Sequence, residues 1–405
     1  MSQALDPGAV AQLLSFDPFD PGFRANPYPV YRKLNEPGPV TRSPGGLWMV
    51  WSHELCTSVL RDPRFGWGEA TLSVGHFSTD PDGNTVRPLT FLDPPDHTRL
   101  RSLITKAFSV RMVERLRPRA EQLLAELVTA ARAGGGPVDF MRAVAYPLPG
   151  LVLSELLGVD SEYQEQFRGW SEIMGRGLDP DFMQPAEEIQ RREKARAGFH
   201  EYFGELAARR RAEPADDLVS ALVAVEQQGD RLSETELVVM CTLLLSAGYA
   251  TTVHLIGNGV FGLLSHPEQL AWFRAHPDQA AGVVEEVLRY DGPVQMVSRV
   301  PLQDAEIAGT PVGAGEPILL MIGAANRDPA VFGDADRLDV SRRPGRNLGF
   351  GLGIHFCLGA PLARLTAQVA LSFLASNEIE LAVSDPPHAE SLVMRGLAEL
   401  LVHLK

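Results

Sequence analysis

The sequence predicts a mainly α-helical fold with a small β part, in a single domain over residues 1–405. Three observations carry that expectation. No charged residue lies between Glu236 and Glu268, and no proline interrupts the run before Pro267. It therefore reads as one helix of roughly 30 residues, about 45 Å long. Apolar residues recur at helical spacing elsewhere, as in Leu116, Leu123, Leu124, Leu127 and Val128. Strand-like runs are confined to residues 47–51, 294–320 and the tail 381–405, and no repeat or linker divides the chain.

With 45% apolar and 22% charged residues, the composition is that of a soluble globular protein. A net charge of −14 argues against a general nucleic-acid binder. Three cysteines, Cys56, Cys241 and Cys357, make no disulfide framework, which fits a reducing cytoplasm. Residues 1–20 are mixed and acidic, unlike a secretion signal. The uncharged run is long enough to span a bilayer. It nevertheless holds Ser246, Thr251, Thr252, His254, Asn258 and four glycines, without a basic flank. A buried central helix is therefore expected, and no membrane contact.

Taken in order, residues 20–40 are proline-rich around a short helix at 29–34, followed by a strand at 47–51. A helix over 53–61 stops at Asp62-Pro63. Residues 66–87 should form a long loop, either a substrate lid or merely solvent-exposed. His97 and Arg101, four apart, share a helical face and can bind the two oxygens of a carboxylate. Taken alone, a solvated basic face explains them better. Residues 145–159 are apolar but interrupted by Pro147 and Pro149, and 163–213 should hold two helices around a mobile turn. Asp216-Asp217-Leu218 heads another helix. Ser233 and Glu236 form a capping box for the long helix, whose centre reads Ala247-Gly248-Tyr249-Ala250-Thr251-Thr252. Gly248 costs about 1 kcal/mol relative to alanine, so it needs a reason, and close packing is one. Glu286 and Arg289 can pair on one helix face, which at a surface is worth a few tenths of a kcal/mol.

The richest stretch is Phe350-Gly351-Leu352-Gly353-Ile354-His355-Phe356-Cys357-Leu358-Gly359. Its glycines allow left-handed backbone around one cysteine, and Pro361 begins a helix directly after it. A helix N-terminus favours thiolate over thiol. A sheltered thiolate suits a heme iron. A buried cysteine in a glycine-rich loop is the plain alternative, and zinc is weaker because no other cysteine lies at ligand spacing.

This loop resembles the cysteine-ligand loop of the cytochrome P-450 family at Phe350, Gly351, Gly353, His355, Cys357 and Gly359. The His97/Arg101 pair, the long-helix centre and the Glu286/Arg289 pair follow the family's order. The resemblance implies the cytochrome P-450 fold, with the long central helix passing over heme b (iron protoporphyrin IX) and Cys357 as axial ligand of its iron. It implies that His97, Arg101, Arg299 and His355 hold the propionates. Glu286, Arg289 and Arg342 become a structural brace, Gly248 leaves room for O2, and Thr251 hydrogen-bonds near it. Two electrons are expected from NAD(P)H through a ferredoxin or flavodoxin and its reductase, delivered to a monomeric cytoplasmic protein. Arg99, Arg111, Arg115, Arg346 and Arg364 form either a docking patch or scattered solubilising charge.

Two positions depart from the family pattern. Ala250 stands where an acid is common, and Thr366 where a glutamate is common. Hydroxylation or epoxidation of a small, mainly hydrophobic secondary metabolite is the first expectation. Oxidative coupling or ring closure without oxygen insertion is the second, and a non-turnover heme sensor the third. Trp67, Phe91, Leu244, Ala247, Val294, Val297 and Met394 are the candidate substrate contacts, although any core contains such residues.

Overall fold

The structure, a computed structural model, describes residues 7–68, 78–79, 85–176, 179–227, 229–343 and 345–404. Helix α1 (Pro7–Leu14) precedes α2 (Tyr28–Asn35), which carries Pro29 in its first turn. Strands β1 (Val40–Arg42) and β2 (Trp48–Val50) pair antiparallel. Ser52 caps α3 (His53–Arg61) by accepting from the Leu55 amide. Strand β3 (Phe65–Gly66) follows. Most of the expected lid, residues 69–77 and 80–84, lies outside the described residues.

Helices α4 (Asp96–Ala107) and α5 (Arg117–Arg132) match their patterns. The prolines expected to interrupt 145–159 instead begin α6 (Pro147–Leu157), after a π-turn over Met141–Ala145. Both sit in a first turn, where backbone amides have no partner within the helix. Next come α7 (Gln164–Arg176), α8 (Ala186–Ala212) and α9 (Leu218–Ala224). The expected mobile turn between α7 and α8 is otherwise from Asp179 onward. The Gln184 amide donates to the Asp179 carbonyl at 2.7 Å, and buried Arg192 donates to Gln184 at 3.3 Å and to Asp181 at 2.6 Å.

The long helix α10 (Glu234–Ser265) has 32 residues and starts at the expected capping box. Ser233 Oγ accepts from the Glu236 amide at 3.1 Å, and the Glu236 carboxylate accepts from the Ser233 amide at 2.8 Å. Helix α11 (Ala280–Asp291), strands β4 (Val297–Pro301) and β5 (Ile318–Leu320), and α12 (Ala360–Ser376) complete the frame. Helix α10 packs against α6, α7, α8, α11 and α12, with 67% of its most apolar window inside the fold. Its apolarity is that of a core helix.

The sheet runs β1-β2-β5-β4-β3, with β5 parallel to β2 and antiparallel to β4. Val10 and Leu14 of α1 and Tyr31 of α2 pack with Trp51 and Met321 in a second, smaller cluster beside it. The tail is less regular than expected: among the described residues only Ile379–Leu381 and Leu401–Leu404 are strands. Pro386 and Pro387 cannot donate to a ladder. Side chains hold the backbone there instead, as where Asn258 donates to the Arg395 carbonyl at 3.1 Å.

Candidate active site

Cys357 lies between a 3-10 turn (Gly353–His355) and the start of α12, its amide donating to the Phe350 carbonyl at 3.0 Å. Gly351 and Gly353 have φ of +65° and +72°, which favour glycine. A Cβ on Gly353 would come within 2.3 Å of the Leu60 carbonyl oxygen. Gly353→Ala should therefore destabilise the protein by about 1–3 kcal/mol or more, read as a lower unfolding midpoint with faster loss of bound heme. An unchanged midpoint would show that the loop relaxes around the methyl.

The helix terminus was expected to favour thiolate at Cys357, but burial pushes this thiol up. The amides of Gly359 and Ala360, with Arg101 and Arg364, offset it only in part. Desolvation outweighs the oriented amides. The charged sulfur needs a cation in direct contact, and a metal ion supplies one. Cys56 and Cys241 are buried thiols whose pKa burial also raises, and neither lines the cavity.

His97 and Arg101 on α4 converge with His355 and Arg299. The His97 and His355 rings lie 4.3 Å apart, and Nε2 of each is buried without a partner. Arg101 donates to the Phe356 carbonyl at 2.8 Å and Arg299 to the Ser298 carbonyl at 2.7 Å. Neither arginine makes an ion pair among the described residues. Nearby Asp93 is committed to the amides of Trp67 and Gly68 at 3.0 and 2.8 Å. Burial, helped by Arg299, His97 and Arg101, holds His355 down at about 3. Burial also lowers His97 and Arg101, and Arg299 to about 10. Four donors thus face one space without an anion to answer them.

That space is a cavity of about 320 Å³, with Cys357 on one wall, Gly248 and Thr251 on the other, and apolar side chains such as Leu153, Leu244 and Phe350 between. A flat apolar ring bearing two carboxylates and a central metal fits this donor set. The residues present therefore suit an iron porphyrin, with Cys357 at the metal and the four donors at the carboxylates.

On the α10 wall, a Cβ on Gly248 would stand 3.5 Å from Leu153, an ordinary contact. Packing therefore does not require this glycine, which favours room in the cavity as its reason. Thr251 Oγ1 donates to the Ala247 carbonyl at 2.9 Å and keeps lone pairs as acceptors. Ala250, grouped with the catalytic positions by resemblance, lines neither this cavity nor the one beside it. It faces α7, where a Cβ on Gly175 would come within 2.6 Å of its methyl. Thr366 lines the cavity and donates to the Leu362 carbonyl at 2.9 Å.

The second cavity, of about 350 Å³, adjoins the first and shares Trp67, Ala247, Thr251, Val294 and Val297 with it. Phe91 and Met394 also line it, whereas Leu244 lines only the first. Sequence reasoning missed Leu13 and Leu14 of α1, Met174 of α7, and Arg196 and His200 of α8, all in its wall. Only the short apolar run around 10–14 marked any of them.

Glu286, Arg289 and Arg342 come together, the first two buried rather than at the surface. The suggested docking patch is largely neutralised: Arg99 pairs with Asp230 and Glu236, Arg115 with Asp216, and Arg364 with Glu285.

A cytochrome P450 family model matches residues 69–282 and 280–392. The cytochrome P450 monooxygenase PikC of Streptomyces venezuelae is 39% identical, over 95% of this chain and 89% of that one. The mycinamicin IV hydroxylase/epoxidase of Micromonospora griseorubida is 40% identical, over 92% and 94%. Among solved structures, P450BioI, in complex with hexadec-9Z-enoic acid ligated acyl carrier protein, superposes with a TM-score of 0.85 at 33% identity, over 95% and 99%. With the sulfur, the unanswered donors and the long helix around one cavity, these matches establish that the chain belongs to the cytochrome P450 family, as a monooxygenase whose chemistry rests on heme, O2 and electrons from a redox partner.

Proposed function

We propose that this enzyme hydroxylates or epoxidises a mainly apolar secondary metabolite seated in the second cavity. The observation that carries the reading is that cavity itself: about 350 Å³, walled by Phe91, Val294, Val297, Leu392 and Met394, and reaching Thr251. Relatives described as PikC and as a hydroxylase/epoxidase of mycinamicin IV point to the same substrate class. NAD(P)H, through a ferredoxin or flavodoxin and its reductase, provides the electrons.

Bound heme supplies the oxidising chemistry from O2 and two electrons. The chain does the rest. Cys357 holds the metal, and His97, Arg101, Arg299 and His355 fix the ring through its carboxylates. Gly248 leaves space above it, and the apolar wall excludes bulk water and presents one face of the substrate. No Asp or Glu among the described residues lines either cavity. Protons therefore arrive through water held at the Thr251 hydroxyl or from the substrate's own polar group. Thr251→Ala should leave heme binding intact and lower product formed per NAD(P)H consumed by about tenfold, the worth of one hydrogen bond of about 1.4 kcal/mol. Unchanged coupling would remove Thr251 from the proton route.

The test of function is titration of a metabolite library while watching the heme absorption band for displacement of iron-bound water, followed by product mass. Gain of one oxygen supports insertion. The carboxylate-free lining favours one second reading, oxidative coupling or ring closure, which loss of two hydrogens would identify.

A further inference from the structure

Asp179 follows α7 by sequence, and Ser391 lies 212 positions away, yet the two meet over the second cavity. Asp179 is only 8% exposed. Its Oδ1 accepts from the Ser391 hydroxyl and from the amides of Leu392 and Val393, each at 2.9 Å. Burial raises this carboxyl's pKa, and these three donors oppose the rise.

The cavity lies directly beneath this contact. Pro180, Leu392, Val393 and Met394 line it, while the neighbouring Glu390 side chain is 82% exposed on the outer side. The other flank of this roof is pinned to the β part: the Gln295 amide donates to the Val393 carbonyl at 2.9 Å, and Met394 bridges to Val294. Behind Asp179, the Gln184–Arg192–Asp181 bonds make the 179–185 segment a firm anchor. Among the hydrogen bonds of the described residues, the 391–394 turn is thus held to the sheet side by backbone and to the α7–α8 side by one carboxylate oxygen, with Leu392 packed in the apolar cluster that Met183 also joins.

We propose that Asp179 is the latch of this roof, a positioning residue that keeps 391–394 closed over the cavity and sets how fast a bulky ligand enters and leaves. Neither Asp179 nor Ser391 lines the cavity that contains Cys357, so the latch acts on passage, not on chemistry. It stands apart from the identity of the substrate.

The test uses heme-loaded full-length protein with a normal carbon monoxide adduct, and two azoles that ligate the iron: imidazole, small enough to pass a closed roof, and clotrimazole, which is not. Asp179→Ala should raise clotrimazole association and dissociation rates at least about fivefold while imidazole rates stay within about twofold. Hydrogen exchange in a peptide spanning 388–396 should quicken about tenfold or more. Asp179→Asn keeps Oδ1 and should restore both readouts to near wild type. Ser391→Ala, which removes one donor to Asp179 and the acceptor of the Met394 amide, should shift exchange in the same direction, and serves if Asp179→Ala does not fold. Wild-type exchange and clotrimazole rates in these variants would overturn the latch. So would equal acceleration of both azoles, or an Asn variant as open as the Ala variant.

Discussion

Cys357→Ser will yield a folded protein whose reduced carbon monoxide adduct lacks the red-shifted absorption of sulfur ligation. Product formation should fall by more than about 100-fold, beyond the cost of losing an outer-shell partner of a metal ligand. The fold survives because the exchange of sulfur for oxygen is nearly isosteric and the loop is held by other bonds. The Cys357 amide bond to Phe350 and the left-handed glycines do not depend on the sulfur. Nor does the Arg364 guanidinium over the Phe350 ring, 4.4 Å from its centroid. Function fails because burial already works against charge at this position. A thiol can still be ionised by a metal ion, whereas a serine hydroxyl starts from a much higher pKa and donates less electron density. Thermal unfolding should move little without heme, and the optical change should appear only with heme bound. A red-shifted adduct in the serine variant would mean that another residue ligates the metal.

The features legible in the sequence were those written in consecutive residues. Helix α10 declares itself by missing charge and by Ser233 and Glu236 at its start, and α3 by the stop at Asp62-Pro63. The glycines around Cys357 allow left-handed backbone, and two of the three, Gly351 and Gly353, adopt it. Features that depend on which side a residue faces were not legible. Ala250 reads as a gap in a catalytic pair, yet its direction toward Gly175 follows from the packing of α7 on α10. Glu286 and Arg289 look like a surface pair because spacing carries no information about burial. Arg192 likewise reads as one charge among many on α8, although it is 1% exposed and organises the turn before it. The thiol at 357 shows the same limit in energy: the helix start is visible in sequence, but the desolvation that outweighs it is not.

The largest stability effect is expected at Glu286, where one carboxylate gathers several partners. It pairs with Arg289 through two bonds of 2.8 Å, accepts from the Asp339 amide at 2.9 Å, and meets Arg342 at 3.3 Å. Arg289 in turn donates to the carbonyls of Asn326, Ala335 and Arg337, and the Asn326 side chain accepts from the Leu348 amide, two residues before Phe350. A line of bonds thus joins α11 to the loop that carries the sulfur. Glu286→Ala leaves the Arg289 charge buried, with both side chains of the pair only 2% exposed. Breaking a buried pair from one side costs about 3–5 kcal/mol, because the remaining charge has no water to turn to. The exposed pair Glu165–Arg168 has the same three-residue spacing, with Glu165 79% exposed. Glu165→Ala should cost less than about 1 kcal/mol. Urea unfolding of the two variants beside wild type checks the contrast. The Glu286 variant should also lose part of its sulfur-ligated carbon monoxide signal before global unfolding, because the loop loosens first. Equal costs at Glu286 and Glu165 would mean that the brace carries no strain-free advantage over a surface pair, and the link from α11 to Cys357 would have to be abandoned.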